Sequence, residues 1–320
     1  MSELCRFEIR LHIGEARCRL CERVPERREA LNYQHAFHAG NFADVHKHAV
    51  LARVLTHLRN KPAAFRVIDT HAGAGRYDLL APEATRGGEW RDGIAKVWAV
   101  RPGSEGMPEA KNAPAAALLA PYLDVVAGLN PGGSLRTYPG SPLVALALLR
   151  PQDRLIACEI EPRAAALLQA ALRRDRRAKA LTIDGWTALS AYVPPKERRG
   201  VVLIDPPFEE VADFARLSSA LAAAHRKWPT GIYVLWYPIK ERDAAEALAR
   251  RLKRSGIAGL LRCEMIIAPR RAQVGLTGSG VILVNPPYKL DDDLAQLMPA
   301  LGEILSPQAT TRIDWLAPAR

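Results

Sequence analysis

The chain alternates between helical sequence and short apolar runs. After Asn41, Leu51, Val54, Leu55 and Leu58 recur at the spacing i, i+3, i+4, i+7, which predicts an amphipathic helix capped by Asn41 or Asp44. Apolar runs of strand length follow at 65–69, 155–159, 181–184, 201–205 and 232–236. Helical sequence separates the later runs, at 162–174, 213–224 and 242–254. This alternation is typical of βαβ units, so we predict an α/β fold with a doubly wound sheet.

Two intervals depart from this alternation. The runs at 263–268 and 280–285 have no helix between them, which predicts an antiparallel hairpin that closes the sheet edge. About 80 residues separate the first strand from the second, whereas a βαβ unit needs about 30. We therefore predict an inserted, mostly helical subdomain at about 78–140, near the carboxyl end of the first strand.

The first 30 residues differ in composition from the rest. They hold seven Arg and six Glu without apolar periodicity, and the composition changes at Leu31. We expect an N-terminal extension, appended or translated from a start codon chosen too far upstream, and a main domain over 31–320. Cys18 and Cys21 with Cys5 and His12 offer four zinc ligands, but six residues separate Cys5 from His12, unlike the two tight pairs of structural zinc sites. We assign no metal.

Charge and composition narrow the class of partner. The 320 residues include 45 Lys and Arg against 34 Asp and Glu, a formal net charge of +11, which indicates an anionic partner. The chain has no run of 18 apolar residues and no apolar secretory core near its start. Five cysteines, an odd number, argue against a disulfide framework. We expect a cytoplasmic protein that does not associate with membranes.

Acidic residues end three of the predicted strands. Glu159, Asp184 and Asp205 each follow an apolar run, and the first run leads into the glycine-rich segment His71-Ala72-Gly73-Ala74-Gly75. This segment lacks the third glycine of the dinucleotide fingerprint and the lysine of a P-loop, so neither NAD nor ATP is favoured. Ligands of doubly wound sheets bind outside the carboxyl ends of the strands, which is where these carboxylates are expected. Glu159 is suited to accept hydrogen bonds from vicinal ribose hydroxyls, and Asp184-Gly185 to bind an adenine edge.

The segment Asp205-Pro206-Pro207-Phe208 is suited to an exocyclic amine. Such an amine is a poor nucleophile, because its lone pair is delocalised into the ring. The Asp205 carboxylate and the Pro206 carbonyl can accept its two hydrogens, and the two prolines fix the direction of that carbonyl. Phe208 would stack on a flipped base. The methyl donor implied is S-adenosylmethionine, whose transfer chemistry requires alignment and water exclusion and no metal.

A second copy of this pattern, Asn285-Pro286-Pro287-Tyr288, is the rival site. Its residues match the general amine-methylating pattern (Asp/Asn)-Pro-Pro-(Tyr/Phe/Trp) better than those of the Asp205 segment do. However, Asn285 ends a hairpin strand after the sheet direction has reversed, whereas Asp205 ends the fourth parallel strand beside the cofactor crevice. Position therefore favours Asp205.

Four motifs together resemble the RlmJ family of bacterial 23S ribosomal RNA adenine-N6 methyltransferases. They are the long histidine-rich segment 33–48, the segment 69–77, Tyr138-Pro139-Gly140-Ser141-Pro142 and Asp205-Pro206-Pro207-Phe208. The likeness covers about residue 31 to the end, and the insertion and the closing Asn-Pro-Pro-aromatic segment also recur in that family. It implies a Rossmann-like class I S-adenosylmethionine-dependent methyltransferase fold. Two departures are Phe208, where the family usually has Tyr, and the leader, because family members begin close to Leu31.

The resemblance also implies roles for single residues. The cofactor site would be lined by His48, His71, Ser141, Glu159, Asp184, Gly185 and Asp205. Asp205 would be the catalytic residue, Tyr33 and His35 would act near the target adenine with Pro206 and Phe208, and Lys47 would help to order the site. From its pattern alone, a lone helical histidine such as His48 is more often a buried structural residue than a ligand.

We therefore expect methyl transfer from S-adenosylmethionine to the N6 amine of an adenine in 23S ribosomal RNA, by a monomer. Basic clusters at 173–179, 196–199 and 270–271 would contact phosphates. A DNA adenine-N6 methyltransferase shares the Asp-Pro-Pro-Phe chemistry, although the sequence shows no separate DNA-reading module. A non-catalytic RNA-binding ribosome-assembly factor is disfavoured by the intact Asp205, Glu159 and Asp184.

Overall fold

The structure is a chain of alternating helices and strands. The computed structural model describes residues 35–101, 113–209, 212–267 and 276–318, all within one compact unit, Tyr33–Arg320. The extension predicted for residues 1–30 and the role predicted for Tyr33 lie outside the described residues. Besides short 3-10 helices at His35–Phe37 and Glu89–Arg91, the described elements are, in order, α1 (Phe42–Arg59), β1 (Arg66–Asp69), β2 (Arg76–Asp78), α2 (Pro82–Gly87), α3 (Ile94–Ala99), α4 (Ala113–Gly128), β3 (Thr137–Pro139), α5 (Ser141–Leu148), β4 (Arg154–Glu159), α6 (Pro162–Leu172), β5 (Ala178–Thr182), α7 (Gly185–Tyr192), β6 (Gly200–Ile204), α8 (Ala212–Lys227), β7 (Ile232–Ile239), α9 (Arg242–Arg254), β8 (Leu260–Ile266), β9 (Gly278–Val284), α10 (Leu290–Leu305) and β10 (Thr310–Ala317).

Eight strands form one sheet in the order β10-β8-β9-β7-β6-β1-β4-β5. The pairs from β5 to β7 are parallel, and those among β7, β9, β8 and β10 are antiparallel. Alternate strand residues enter different cores: Val67 packs in the core that contains α1, α4, α5 and α10, and Ile68 packs in the core that contains α7, α8 and α9. Helices therefore cover both faces, and the predicted α/β, doubly wound class is confirmed.

Helix α1 is more buried than its pattern suggests. Asn41 caps it by accepting a hydrogen bond from the Asp44 backbone N–H at 2.9 Å. We expected an amphipathic helix, but every residue from Phe42 to Leu55 is buried, including His46, Lys47 and His48. Charged and polar groups are rarely buried without partners, so this helix contributes to a polar site inside the protein.

The antiparallel part of the sheet differs from the prediction at its edge. β8 and β9 pair as an antiparallel hairpin, as predicted, but β9 lies between β7 and β8, and the unpredicted β10 forms the edge. None of the residues of β10 is fully buried, so its sequence carries no continuous apolar run. β5 is also displaced from the predicted run: it ends at Thr182, and Asp184 caps α7.

The interval predicted as an insertion contains α2, α3 and α4. β3 returns from it to pair antiparallel with β2, with Tyr77 opposite Tyr138. Tyr122 and Val126 of α4 are fully buried in the same core as α1. None of the described helices combines the length and the apolar character that a membrane span requires.

Candidate active site

Four acidic residues lie at the carboxyl ends of neighbouring parallel strands, which we call the carboxyl edge of the sheet. Asp69 ends β1, Glu159 ends β4, Asp184 follows β5 and Asp205 follows β6. These strands are parallel neighbours in the order β6-β1-β4-β5, so all four residues lie at their carboxyl ends. The sequence pattern predicted this placement for Glu159, Asp184 and Asp205. It missed Asp69, although the same signal, an acidic residue directly after an apolar run, was present.

A buried lysine joins Asp205 to a second carboxylate. The Lys47 ammonium donates to Asp205 Oδ2 at 2.5 Å and to Asp44 Oδ1 at 2.9 Å. The Lys47 and Asp44 side chains are 5% and 2% exposed, and that of Asp205 is 13% exposed. Lys47 therefore fixes one oxygen of the Asp205 carboxylate and leaves the other available to a ligand.

The charges of this network stabilise one another. Burial alone raises the pKa of the Asp44 carboxyl, but the Lys47 ammonium and the His35 ring outweigh it and hold that pKa well below its usual range. Burial lowers the pKa of Lys47, and Asp205 and Asp44 outweigh it and raise that pKa above its ordinary value. Lys47 is therefore charged at any physiological pH.

Asp44 also connects Lys47 to His35. Its Oδ2 accepts hydrogen bonds from the Gly40 N–H at 3.0 Å and from His35 Nε2 at 3.1 Å. The His35 ring lies 5.2 Å from the Tyr77 ring, centroid to centroid. His35, predicted to act near the target base, is thus joined to Asp205 through Asp44 and Lys47. The sequence identified Asp44 only as a possible helix cap.

The predicted cofactor residues Ser141 and His48 are both buried and hydrogen-bonded. The Ser141 hydroxyl donates to Asp69 Oδ2 at 2.7 Å. His48 Nδ1 is 2.9 Å from the Tyr138 hydroxyl, and burial lowers the pKa of His48 to about 3, so its ring is neutral. His48 therefore holds Tyr138, three residues before Ser141.

Glu159 organises the glycine-rich turn. Its Oε2 accepts from the Gly73 N–H at 2.9 Å, and its Oε1 accepts from the backbone N–H groups of Ile160 and Glu161 at 2.8 Å each. Gly73 has φ of +60°, a conformation that favours glycine. Because a carboxylate oxygen can accept two hydrogen bonds, Oε2 has room for one from a ligand.

Gly185, His71 and Asp184 are packed together. A Cβ at Gly185 would lie 2.2 Å from the Thr70 carbonyl oxygen and 2.7 Å from the His71 ring, so only glycine fits. Burial lowers the pKa of His71 to about 4, and its ring meets Trp186 edge-on at 5.2 Å. Asp184 Oδ2 accepts from the Thr187 N–H and hydroxyl at 2.9 Å each. Asp184 thus caps α7 with one oxygen.

Aromatic side chains lie beside Asp205. Phe208 is 7% exposed and has φ of +51°, and its ring centroid lies 4.9 Å from that of Phe214 and 5.7 Å from that of Trp236. Trp236 is the one partly exposed residue of β7. Its indole N–H donates to Ser279 Oγ at 2.9 Å, and Lys47 Nζ lies 5.6 Å from its ring centroid. No pattern in the sequence indicated that Trp236 belongs to this site.

The rival motif lies at the other end of the strands. β9 is antiparallel to β7, and its last residue, Val284, pairs with Tyr233 near the start of β7. Asn285 follows it, and its side-chain amide donates to the carbonyls of Pro229 and Gly231. Among the described residues, no group of three or more His, Cys, Asp or Glu side chains could hold a metal ion.

Comparisons with known proteins identify the family. A family model described as "Ribosomal RNA large subunit methyltransferase D, RlmJ" matches residues 62–317. Two relatives named "Ribosomal RNA large subunit methyltransferase J" each cover 90% of this chain and 99% of their own length: that of Escherichia coli (strain K12) is 40% identical over 290 residues, and that of Haemophilus influenzae is 36% identical over 291. The chain belongs to the RlmJ family. The crystal structure of protein LPL1258 from Legionella pneumophila is 32% identical to this RlmJ-family chain, with a TM-score of 0.78, and covers 87% of this chain and 98% of its own.

The residues of this RlmJ-family site fit S-adenosylmethionine. Asp69 is 1% exposed, and its Oδ1 has no hydrogen-bond partner among the described residues. Burial is the main reason that the pKa of Asp69 is raised, to about 7. A buried carboxylate oxygen without a donor is costly, and the ammonium group of a bound amino acid moiety would supply that donor. Glu159 and Asp184, at the ends of the neighbouring strands, could accept hydrogen bonds from the hydroxyl and amine groups of a nucleoside.

Proposed function

We propose that this chain transfers the methyl group of S-adenosylmethionine to the N6 amine of an adenine in 23S ribosomal RNA, with Asp205 as the catalytic residue. One observation carries the proposal: Lys47 binds one oxygen of a carboxylate at the carboxyl edge of the sheet, and the next residue, Pro206, offers a rigid carbonyl. Membership of a family of large-subunit ribosomal RNA methyltransferases supports the reaction class and the substrate class.

The cofactor would be held along the carboxyl edge. Glu159 would bind the ribose hydroxyls, and Asp184 with Gly185 would bind the adenine edge. Asp69 would accept from the ammonium group, and the predicted residues His48, His71 and Ser141 shape this surface. Bound in this way, S-adenosylmethionine supplies an electrophilic methyl group.

Asp205 and Pro206 prepare the amine. Asp205 Oδ1 and the Pro206 carbonyl oxygen accept the two amine hydrogens, which directs the nitrogen lone pair away from the ring. As the nitrogen bonds the methyl carbon, the bond between that carbon and sulfur would break, and the neutral thioether would leave. The nitrogen would be positive until one of its two hydrogens leaves as a proton to solvent, and the Asp205 carboxylate would stabilise that charge. Lys47 prevents the carboxylate from rotating, since it holds Oδ2. A fixed acceptor needs no reorganisation as the charge develops.

The target base would be held by aromatic and polar groups around Asp205. Trp236 on β7 lies next to the Asp205 position, because Ile204 pairs with Leu235. We propose that the partly exposed Trp236 ring is the aromatic wall on which the base packs, and that the buried Phe208, predicted to stack on the base, supports that ring from the core. Tyr33 and His35 would act near the same base. We also propose a monomer that works in the bacterial cytoplasm, where ribosomes are assembled, without binding membranes.

The test is methyl incorporation from labelled S-adenosylmethionine into 23S RNA and into a matched DNA fragment, with nucleoside analysis of the product. N6-methyladenosine in RNA alone supports the proposal. Product in DNA alone would favour a DNA adenine-N6 methyltransferase. Light scattering that gives a mass near 35.1 kDa would support the monomer.

A further inference from the structure

The two ends of the strands carry opposite charge. The amino edge is the opposite end of the strands from the active site. It consists of the segments that precede the parallel strands and β8, together with the connector between β9 and α10. Among the described residues these segments are 60–65, 149–153, 173–177, 193–199, 228–231, 255–259 and 285–289. They contain ten Lys and Arg against three carboxylates, a formal charge of +7. At the carboxyl edge, where the active site lies, the described residues that directly follow the strands are 70–75, 160–161, 183–184, 205–209, 240–241 and 267. They contain five carboxylates and one Lys, a formal charge of −4.

The carboxylates of the amino edge are already paired. Asp153 binds Arg150, Asp175 binds Arg177, and Glu197 binds Arg66. Arg150, Arg177 and Arg199 are half-buried, whereas the other seven cations of this edge are exposed. These seven therefore face solvent without a carboxylate of the same edge to neutralise them.

An exposed aromatic ring lies on the same edge. Tyr288, in the second Asn-Pro-Pro-aromatic segment, is 84% exposed, and Lys289 Nζ lies 5.6 Å from its ring centroid. The loop that carries it is anchored: the Asn285 amide donates to the carbonyls of Pro229 and Gly231 at 2.7 and 2.8 Å, and the Asn285 N–H donates to the Gly259 carbonyl at 2.9 Å. The motif that the active site does not use thus presents a tyrosine ring on an anchored loop.

Cations and an exposed aromatic ring are the groups that bind nucleic acid backbones and unpaired bases. We propose that the amino edge is a second RNA-binding surface, which holds a part of the substrate RNA outside the methylated loop through phosphate contacts and through stacking on Tyr288. This inference rests on the proposed function, because it takes RNA as the polyanion that the chain meets.

The dimensions suit an RNA longer than a target loop. Seven strands from β8 to β5 extend the edge over about 30 Å at the usual strand spacing. The five to eight residues of β6 and β7 separate the two edges by about 16 to 26 Å. A minimal RNA that places its adenine at Asp205 lies at the opposite edge, so only a longer RNA reaches both surfaces.

The experiment compares binding of 23S RNA with binding of the shortest fragment that still accepts methyl. The variants are Arg173→Gln/Arg174→Gln and Tyr288→Ala, all at exposed positions. The matched control, Arg86→Gln/Arg242→Gln, removes the same charge from exposed positions away from the amino edge. Tyr288→Phe keeps the ring.

For 23S RNA, the arginine pair should reduce the slope of log affinity against log salt by about 0.7 to 0.9 per lost contact, and the control pair should not. Tyr288→Ala should bind about 5-fold to 150-fold more weakly, and Tyr288→Phe should bind like the wild type. Turnover of the short fragment should be unchanged in all four variants.

If the two arginine pairs change the salt slope equally, only net charge matters and the proposal is overturned. The proposal is also overturned if Tyr288→Ala binds 23S RNA as tightly as the wild type does. Should the wild type methylate no RNA, the proposed function fails, whereas the salt slopes measured on unmethylated 23S RNA still test the surface.

Discussion

Replacing Lys47 by Met removes the central charge of the site while keeping its volume. The side chain is 5% exposed and donates to Asp44 and Asp205, which are 2% and 13% exposed. Removing one partner from a buried ion pair costs about 3 to 5 kcal/mol, because the remaining charge is left without compensation. We therefore expect the free energy of unfolding at pH 7 to fall by about that amount, with loss of methyl transfer.

The loss should depend on pH in a defined direction. In the wild type the pKa of Asp44 is depressed, so its contribution to stability is present above the ordinary carboxyl pKa and is lost as pH falls through the depressed value. Without Lys47, mainly the His35 ring opposes the effect of burial, so we expect the pKa of Asp44 to rise above the ordinary carboxyl value of about 4 and the variant to lose stability as pH rises from that value. The gap between the two proteins should widen between pH 4 and pH 7.

Denaturant unfolding of both proteins at pH 4.5 and pH 7.5 measures this gap. Arg136→Met is the control, because it breaks an exposed ion pair with Asp78 and should cost about 0 to 1 kcal/mol. If Lys47→Met destabilises no more than the control, or equally at both pH values, the charge network described for Asp44, Lys47 and Asp205 is refuted.

Two further substitutions test the cofactor surface. Gly185→Ala places a Cβ 2.2 Å from the Thr70 carbonyl oxygen, so calorimetric titration with S-adenosylmethionine should show weakened binding, and thermal denaturation a loss of about 1 to 3 kcal/mol; Gly128→Ala, where a Cβ meets nothing within 4 Å, should cause neither. Asp69 has a folded pKa raised to about 7, so the stability of the wild type without cofactor should fall as pH rises from about 4 to 7, and Asp69→Asn should remove this dependence. Identical pH profiles of the wild type and Asp69→Asn would contradict the assigned burial of this carboxylate.

The sequence predicted those features that depend on local pattern. Apolar runs followed by Glu159, Asp184 and Asp205 were sufficient to predict the parallel strands and the edge at which these carboxylates lie together. The contacts of Lys47 were beyond such reasoning, because Lys47 and Asp205 are 158 positions apart and meet only when α1 packs against β7 and β9.

Other features left weak or misleading signals in the sequence. β10 is an edge strand with half-exposed side chains, so it lacks the apolar run by which the central strands were found. Trp236 lies within an apolar run that is typical of a buried strand. Only its contacts in the folded protein, with Ser279 and Lys47, show that its ring lies beside the site. The burial of α1 was hidden by its polar residues, which find partners only in the folded protein: Lys47 pairs with Asp44, and Arg53 pairs with Asp293 of α10.

Nucleoside mass spectrometry on 23S RNA treated with S-adenosylmethionine and either Asp205→Ala or Asn285→Ala tests the central claim most directly. Asp205→Ala keeps the Lys47–Asp44 pair and so should fold. We expect N6-methyladenosine from the wild type and from Asn285→Ala, and none from Asp205→Ala. N6-methyladenosine from Asp205→Ala together with its loss in Asn285→Ala would move the reaction to the other end of the strands and contradict the account.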